Sequence, residues 1–241
     1  MKKHTVRAFD AELDRIRAEI GRMGERVAAQ LERAGRAFED RRDELAEQVV
    51  AMDAEIDGLE HEVSQDALQL LALRQPMAAD LRETLAAIRI AGNLERIGDL
   101  AKSLAKRSRV MNRFPRVPAG ARLARMNDRV REQLQQVLGA YARGDADAAA
   151  RVWRSDAELD DWQESLFREL LTYMMEDPKT ITACTHLQFM AKNLERAGDH
   201  CTRIASAVHY LVAGKDLSDG RPKGADSRSA VVEPGDGRGE G

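Results

Sequence analysis

The sequence has few aromatic residues and few prolines. Only ten of its 241 residues are Phe, Tyr or Trp and only six are proline, and because strands favour aromatic side chains, this composition disfavours an all-β fold. Lysine and arginine number 38 against 41 acidic residues, for a formal charge of −3. No overall positive field would attract nucleic acid or an anionic membrane, so we expect no nucleic-acid partner.

Long hydrophobic runs and cysteine pairs are also missing. No apolar stretch approaches the roughly 18 to 20 residues that a membrane-spanning helix needs. Cys184 and Cys201 lie on one predicted helix, about 25 Å apart at 1.5 Å per residue, which is too far for a disulfide. Residues 1–4 lead directly into a charged amphipathic pattern, so we expect no secretory signal and a reducing compartment.

Apolar residues recur at steps of three and four along most of the chain, which is the period of amphipathic helices. Six such stripes cover residues 9–38, 45–70, 76–110, 123–141, 152–173 and 179–213. Prolines lie between several of them, and Gly144 and Gly214 stand at predicted helix ends. The pattern predicts an all-α fold of six long helices, antiparallel to their neighbours in sequence.

The third and sixth predicted helices contain a repeated motif. Residues 91–99 read AGNLERIGD and residues 191–199 read AKNLERAGD, so seven of nine positions agree. A second similarity relates DAEID at 53–57 to DAELD at 156–160. The sequence therefore predicts two tandem, pseudo-symmetric three-helix bundles, residues 1–114 and 115–214. Residues 215–241, which are rich in glycine and charge, are predicted to form a disordered tail.

Four pairs of carboxylates lie within these repeats, each pair one helical turn apart. They are Asp53 and Asp57, Glu95 and Asp99, Asp156 and Asp160, and Glu195 and Asp199. Residues four apart share a helix face, so like charges there repel unless a cation lies between them. Adjacent helices would bring two pairs together in each unit, where oxygen ligands suit Mg, Ca, Mn or iron. Neutralisation by Arg96 and Arg196 is the alternative, and any single pair is most simply a solvated acidic face.

The positions of these residues on a helical wheel add two expectations. Glu95, Asp99, Glu195 and Asp199 fall on the side away from the apolar face, so we expect the pairs at an accessible groove. Glycine inside a helix costs about 1 kcal/mol relative to alanine, so the recurrence of glycine at 98 and 198 favours close helix packing there. The asparagines at 93 and 193 could each orient a carboxylate or face solvent.

Common catalytic motifs are absent from the sequence. There is no G-x-x-x-x-G-K-[ST] loop, G-x-S-x-G elbow or H-E-x-x-H helix. His200 and Cys201 are adjacent and point about 100° apart on a helix, so they do not form a nucleophile and base pair. The absence of Glu-x-x-His from these helices disfavours a ferritin-like di-iron oxidase. We expect no enzyme activity.

The duplicated D-x-x-x-D and N-L-E-R-x-G-D motifs, with His-x4-Phe-Asp-x2-Leu at residues 4–13, resemble the PhoU family of phosphate-signalling proteins over about residues 4–214. The resemblance implies a cytoplasmic, commonly homodimeric protein that lies at the inner face of the membrane through its partners. It implies a negative regulator of the phosphate-starvation response and of phosphate uptake, which docks between the phosphate ABC transporter and a sensor histidine kinase.

The resemblance also implies metal sites. Some members of the family bind iron or zinc through such motifs, which here correspond to Asp53, Asp57, Glu95, Asp99, Asp156, Asp160, Glu195 and Asp199. The two units differ at two equivalent positions: Glu60 corresponds to Gln163, and Gly92 corresponds to Lys192. We expect fewer charges at the second site, where the Lys192 ammonium would partly replace a cation. The alternative function is a carboxylate-bridged metal-binding or metal-storage protein.

Overall fold

A computed structural model of the chain describes residues 2–74, 76–155 and 157–217. Seven α-helices contain most of these residues, and no described residue lies in a β-strand. The helices are α1 (Lys2–Glu39), α2 (Asp43–Arg74), α3 (Ala79–Met111), α4 (Ala121–Arg143), α5 (Ala146–Arg154), α6 (Ala157–Glu176) and α7 (Ile181–Ala213). The all-α prediction is confirmed, with the predicted fifth helix divided into α5 and α6. The predicted tail lies outside the described residues from position 218 onward.

Local sequence explains where several helices begin and end. Gly144 and Gly214 follow α4 and α7 with left-handed φ angles of 62° and 67°, a conformation that glycine adopts without a steric penalty. Asp145 caps α5, because its side chain accepts a hydrogen bond from the Ala148 backbone N–H at 2.8 Å. Short 3₁₀ turns at Pro118–Gly120 and Pro178–Thr180 precede α4 and α7. The helix ends predicted at the two glycines are confirmed.

Each half of the chain forms a unit of three helices, if α5 and α6 are counted as one divided helix. In the first unit α1, α2 and α3 pack on one another, and in the second unit α4 and α7 pack on each other and on the pair α5 and α6. The ion pairs Arg74–Glu12 and Arg26–Glu55 show that α1 and α2 run in opposite directions. Successive turns of the helices contribute to one apolar core that is continuous through both units.

The two units meet where α3 packs along α7 and α1 packs along α4. Asn93 Oδ1 lies 2.8 Å from His200 Nδ1, and Asn193 Nδ2 donates to Ser103 Oγ at 2.9 Å. Residue numbers increase along α3 in the direction in which they decrease along α7, so the two helices are antiparallel. Their repeated motifs are related by a pseudo-twofold axis. The asparagines therefore join the units, a role that differs from both roles left open by the sequence.

Gly98 and Gly198 lie where neighbouring helices approach closely. A Cβ atom on Gly98 would lie 3.0 Å from Gln30 Oε1, and one on Gly198 would lie 2.5 Å from Leu159 Cδ1. The predicted close packing at both glycines is confirmed. It brings the residues that follow them, Asp99 and Asp199, next to the second helix of their own units.

Two further expectations concern disulfides and membrane spans. Cys184 and Cys201 are not joined by a disulfide, as predicted, and both are buried in α7. Within the described part of the chain, no helix combines the length and the apolar character needed to cross a bilayer.

Candidate carboxylate sites

The first site lies between α2 and α3. Asp53 and Asp57 on α2 lie close to Glu95 and Asp99 on α3, near enough that their charges interact. Lys102, on α3, lies among them: its Nζ atom is in direct contact with Asp53 Oδ2 and 3.4 Å from Asp99 Oδ1. The structure thus brings together all four carboxylates predicted for the first unit, around a lysine that was not predicted.

Burial shapes the charges of the first site. The side chain of Asp53 is only 7% exposed and that of Lys102 is 27% exposed. Burial raises the pKa of Asp57, and the charge of Asp53 raises it further, while Lys102 acts in the opposite direction. A hydrogen bond to Asp53 raises the pKa of Lys102, so this side chain is an ammonium ion at neutral pH.

Arg96 supplies a second cation at the rim of the first site. Its Nε atom lies 3.3 Å from Glu95 Oε2, and its Nη1 atom lies 3.4 Å from Asp99 Oδ2. Burial raises the pKa of Glu95, Arg96 opposes that shift, and Asp99 adds to it. Neutralisation by Arg96, the alternative to a metal, is therefore present in the structure.

The second site lies between α6 and α7. Glu195 on α7 is 11% exposed, and burial raises its pKa, with Lys192 opposing the shift and Asp199 and Asp160 adding to it. Lys192 Nζ lies 2.8 Å from Glu195 Oε2, in a charge contact without the direction of a good hydrogen bond. Asp156 lies outside the described residues. The structure therefore brings together the three described carboxylates of the four predicted.

Glu195 and Asp53 are more buried than the helical pattern predicts. The expectation of an accessible groove is wrong for these two side chains, of which 11% and 7% are exposed. The periodicity of α7 describes α7 alone, whereas α6 packs against it and places Asp160 near Glu195. In the first unit the packing of α3 on α2 places Lys102 against Asp53.

The two sites differ in how well they fit a metal ion. Across residues 2–74, 76–155 and 157–217, no three His, Cys, Asp or Glu side chains are arranged to hold one. In the first site Lys102 lies between Asp53 and Asp99, in the position that a shared cation would take, so this donor set does not fit a metal. The second site has Thr202 at the position equivalent to Lys102. Its carboxylates offer the oxygen ligands of a hard or borderline divalent ion, but the described ones, Asp160, Glu195 and Asp199, are not arranged around one metal position.

Three residues at or beneath these sites were missed by sequence reasoning. Lys102 follows Asp99 by three residues and so lies on the same helix face, and this spacing could have been recognised in the sequence. Gln30 and Gln133 are fully buried, and their Oε1 atoms face Gly98 and Gly198. These glutamines are 103 residues apart, the offset that also separates the D-x-x-x-D motifs, so the repeat itself could have identified them.

Comparison with known proteins places the chain in a family. The family model of the PhoU domain matches residues 20–108 and again residues 123–208. The chain is 45% identical over 224 residues to the phosphate-specific transport system accessory protein PhoU homolog of Caulobacter vibrioides, which covers 92% of this chain and 97% of that protein. It is 47% identical over 220 residues to the homolog of the same name from Xylella fastidiosa, with coverage of 91% and 93%.

A solved structure agrees with these matches. The crystal structure of PhoU from Pseudomonas aeruginosa superposes with a TM-score of 0.83 at 37% sequence identity, over 86% of this chain and 100% of that one. Both the sequence and the arrangement of the helices are therefore shared with proteins that carry the duplicated domain, and the chain belongs to the PhoU family.

Proposed function

We propose that the chain is a non-catalytic accessory protein that restrains phosphate uptake and the phosphate-starvation response. The observation that carries this proposal is the match to relatives named phosphate-specific transport system accessory proteins, at 45% and 47% identity over more than nine tenths of the chain. Because the match includes both three-helix units, a role of the whole relative can be extended to this chain.

Exposed apolar side chains at one end of each unit support a role in docking. They lie where the second and third helices of a unit meet: Leu73, Met77 and Leu81 in the first unit, and Met175 and Ile181 in the second. Exposed apolar clusters are typical of protein contact surfaces. We infer that the phosphate ABC transporter and a sensor histidine kinase bind at the cytoplasmic side of the membrane, and that the working form is a homodimer.

The mechanism that follows is a change in a partner's conformational equilibrium. A protein without a catalytic constellation acts on a partner by binding one of its states more tightly than the other. A tenfold preference corresponds to about 1.4 kcal/mol, which a few contacts can supply. In high phosphate, docking would favour the inactive state of the kinase.

Metal binding is proposed for the second site. Asp160, Glu195 and Asp199, together with Asp156, would hold a divalent ion such as iron, zinc or manganese. The ion would supply positive charge between α6 and α7, where burial disfavours the charged form of Glu195. The metal-storage alternative is less favoured, because Lys102 already neutralises carboxylates of the first site.

Deletion of the gene in a strain that carries a phosphate-starvation reporter tests the proposed function. In high-phosphate medium we expect reporter output to rise in the deletion strain and to return to baseline when the wild-type gene is restored. The double variant M77E/M175E should fail to restore the baseline, since it places charge in both apolar clusters. Q135E, which adds a charge at an exposed position of α4, is the control and should restore it. Unchanged output after deletion would contradict the proposal.

A further inference from the structure

We propose that Lys102 is the resident cation of the first carboxylate site and that its ammonium group keeps divalent metal ions out of that site. The inference concerns which cation the site holds, and it does not depend on the partners proposed above. It departs from the expectation that both units bind metal through equivalent carboxylates.

The position of Lys102 carries the inference. Its Nζ atom contacts Asp53 on α2 and lies 3.4 Å from Asp99 on α3, so one ammonium group links the two helices. An ammonium group has three donors and no acceptor, and carboxylate oxygens directed at it are the same oxygens that a metal ion would need. The Asp53 side chain is almost fully buried, which leaves it few other ways to be neutralised.

The second unit provides an internal comparison. Thr202 occupies the position equivalent to Lys102; it is buried, and its hydroxyl donates to the Asp199 backbone carbonyl at 2.8 Å. No ammonium group can enter the second site from that position. The lysine of the second site is Lys192, whose equivalent in the first unit is Gly92, and it reaches Glu195 from the surface.

The two lysines therefore differ in how readily they yield to a metal ion. A divalent ion in the first site would lie beside a like charge that is only 27% exposed, and repulsion between close charges in a poorly solvated site is strong. Lys192 is 48% exposed, and exposed ion pairs contribute little, so it can move into water at small cost. Metal should enter the second site with Lys192 present, and the first site only after Lys102 is removed.

The test compares metal binding by the full-length chain and two variants. Wild type, K102T and K106T are purified without chelator and titrated with Mn²⁺ or Zn²⁺, and bound metal per chain is measured by elemental analysis after desalting. K102T gives the first unit the residue found in the second, and K106T removes a charge from an exposed position one turn further along α3. We expect K102T to bind one more ion per chain than wild type, because its first site should bind metal at least about tenfold more tightly than the wild-type first site. K106T should bind the same amount of metal as wild type.

Two further variants keep the test decisive. K102R retains a positive charge and should bind as wild type does, whereas K102T/D53N should lose the extra ion. If K102T folds only when metal is added, as followed by circular dichroism, that rescue also supports the proposal. A folded K102T that binds no more metal than wild type would overturn it, and so would loss of metal from otherwise wild-type protein on the change D53N.

Discussion

The two carboxylate sites contain equivalent acidic residues, but a different cation neutralises each site. In the first site Lys102 lies between Asp53 and Asp99 on facing helices. In the second site Lys192 touches Glu195 from the surface of the same helix. The repeated motif therefore specifies where the acidic groups stand. The cations are specified separately, by Lys102 outside the motif and by Lys192 at a motif position where the two copies differ.

The largest expected difference between the units concerns these two lysines. K102T leaves the buried Asp53 without its partner and should lower the free energy of unfolding by about 2–3 kcal/mol in metal-free buffer. K192T removes a pair in which the lysine is 48% exposed and should cost less than about 1 kcal/mol. Urea denaturation of both variants at pH 7 with EDTA measures the difference. Equal losses would contradict the view that the pair with the less exposed lysine, Lys102, contributes more to stability.

The repeated glycines should also respond unequally to alanine. A Cβ atom at position 198 would lie 2.5 Å from Leu159 Cδ1 in the core, whereas at position 98 the nearest atom, Gln30 Oε1, is 3.0 Å away. Overpacking costs about 1–3 kcal/mol and the gain in helix propensity is about 1 kcal/mol. We therefore expect G198A to lose about 1–2 kcal/mol by thermal denaturation, and G98A to lose less.

Gly92 provides the control for the glycine comparison. Beyond its chain neighbours and the backbone of its own helical turns, no atom lies within 4 Å of a Cβ atom built there. G92A should therefore gain up to about 1 kcal/mol from helix propensity alone. A G198A variant as stable as G92A would show that the close approach of Leu159 does not constrain the second unit.

The two hydrogen bonds between the units should also contribute unequally to stability, but the difference should be smaller than for the glycines. Burial lowers the pKa of His200 to about 4, so its ring is neutral at pH 7 and Nδ1–H donates to Asn93 Oδ1. N93A leaves that buried donor without an acceptor and should cost about 1–2 kcal/mol, while N193A, which loses a bond to the partly exposed Ser103, should cost about 0.5–1 kcal/mol. Chemical denaturation of the two variants gives the ranking, and a larger loss for N193A would reverse it.

The smallest expected effect is on the pH dependence of stability. Burial raises the pKa of Glu195 above its ordinary value of 4.5, so its contribution to stability is fully present below pH 4.5 and is lost as pH rises through the raised pKa. In metal-free buffer E195Q should therefore have a higher melting temperature than wild type at pH 7, and the difference should shrink towards pH 4.5. If the melting temperature of wild type instead rose relative to that of E195Q with increasing pH, this result would contradict a raised pKa for Glu195.

Much of the fold could be predicted because its signals are local. The spacing of apolar residues predicts the helices, and Gly144, Asp145 and Gly214 mark helix ends through their own backbone conformations and hydrogen bonds. The division of the fifth helix at Ser155 could not be predicted, since Val152 and Leu159 continue the apolar stripe with the helical period on both sides of it.

The sites could be predicted only in part because they depend on contacts between helices. The motifs identify the carboxylates that meet, and the expected approach of Lys192 to Glu195 is seen in the structure. The contact of Lys102 with Asp53 joins residues 49 positions apart on different helices, and its register follows from how α2 and α3 pack.

The most direct test of the account is a crystal structure of the full-length chain soaked with Mn²⁺ or Zn²⁺, with anomalous scattering measured at the metal edge. We predict that the Lys102 ammonium lies between Asp53 and Asp99 and that no anomalous peak appears there. A metal peak bonded to Asp53 and Asp99, with Lys102 turned away into solvent, would contradict the account.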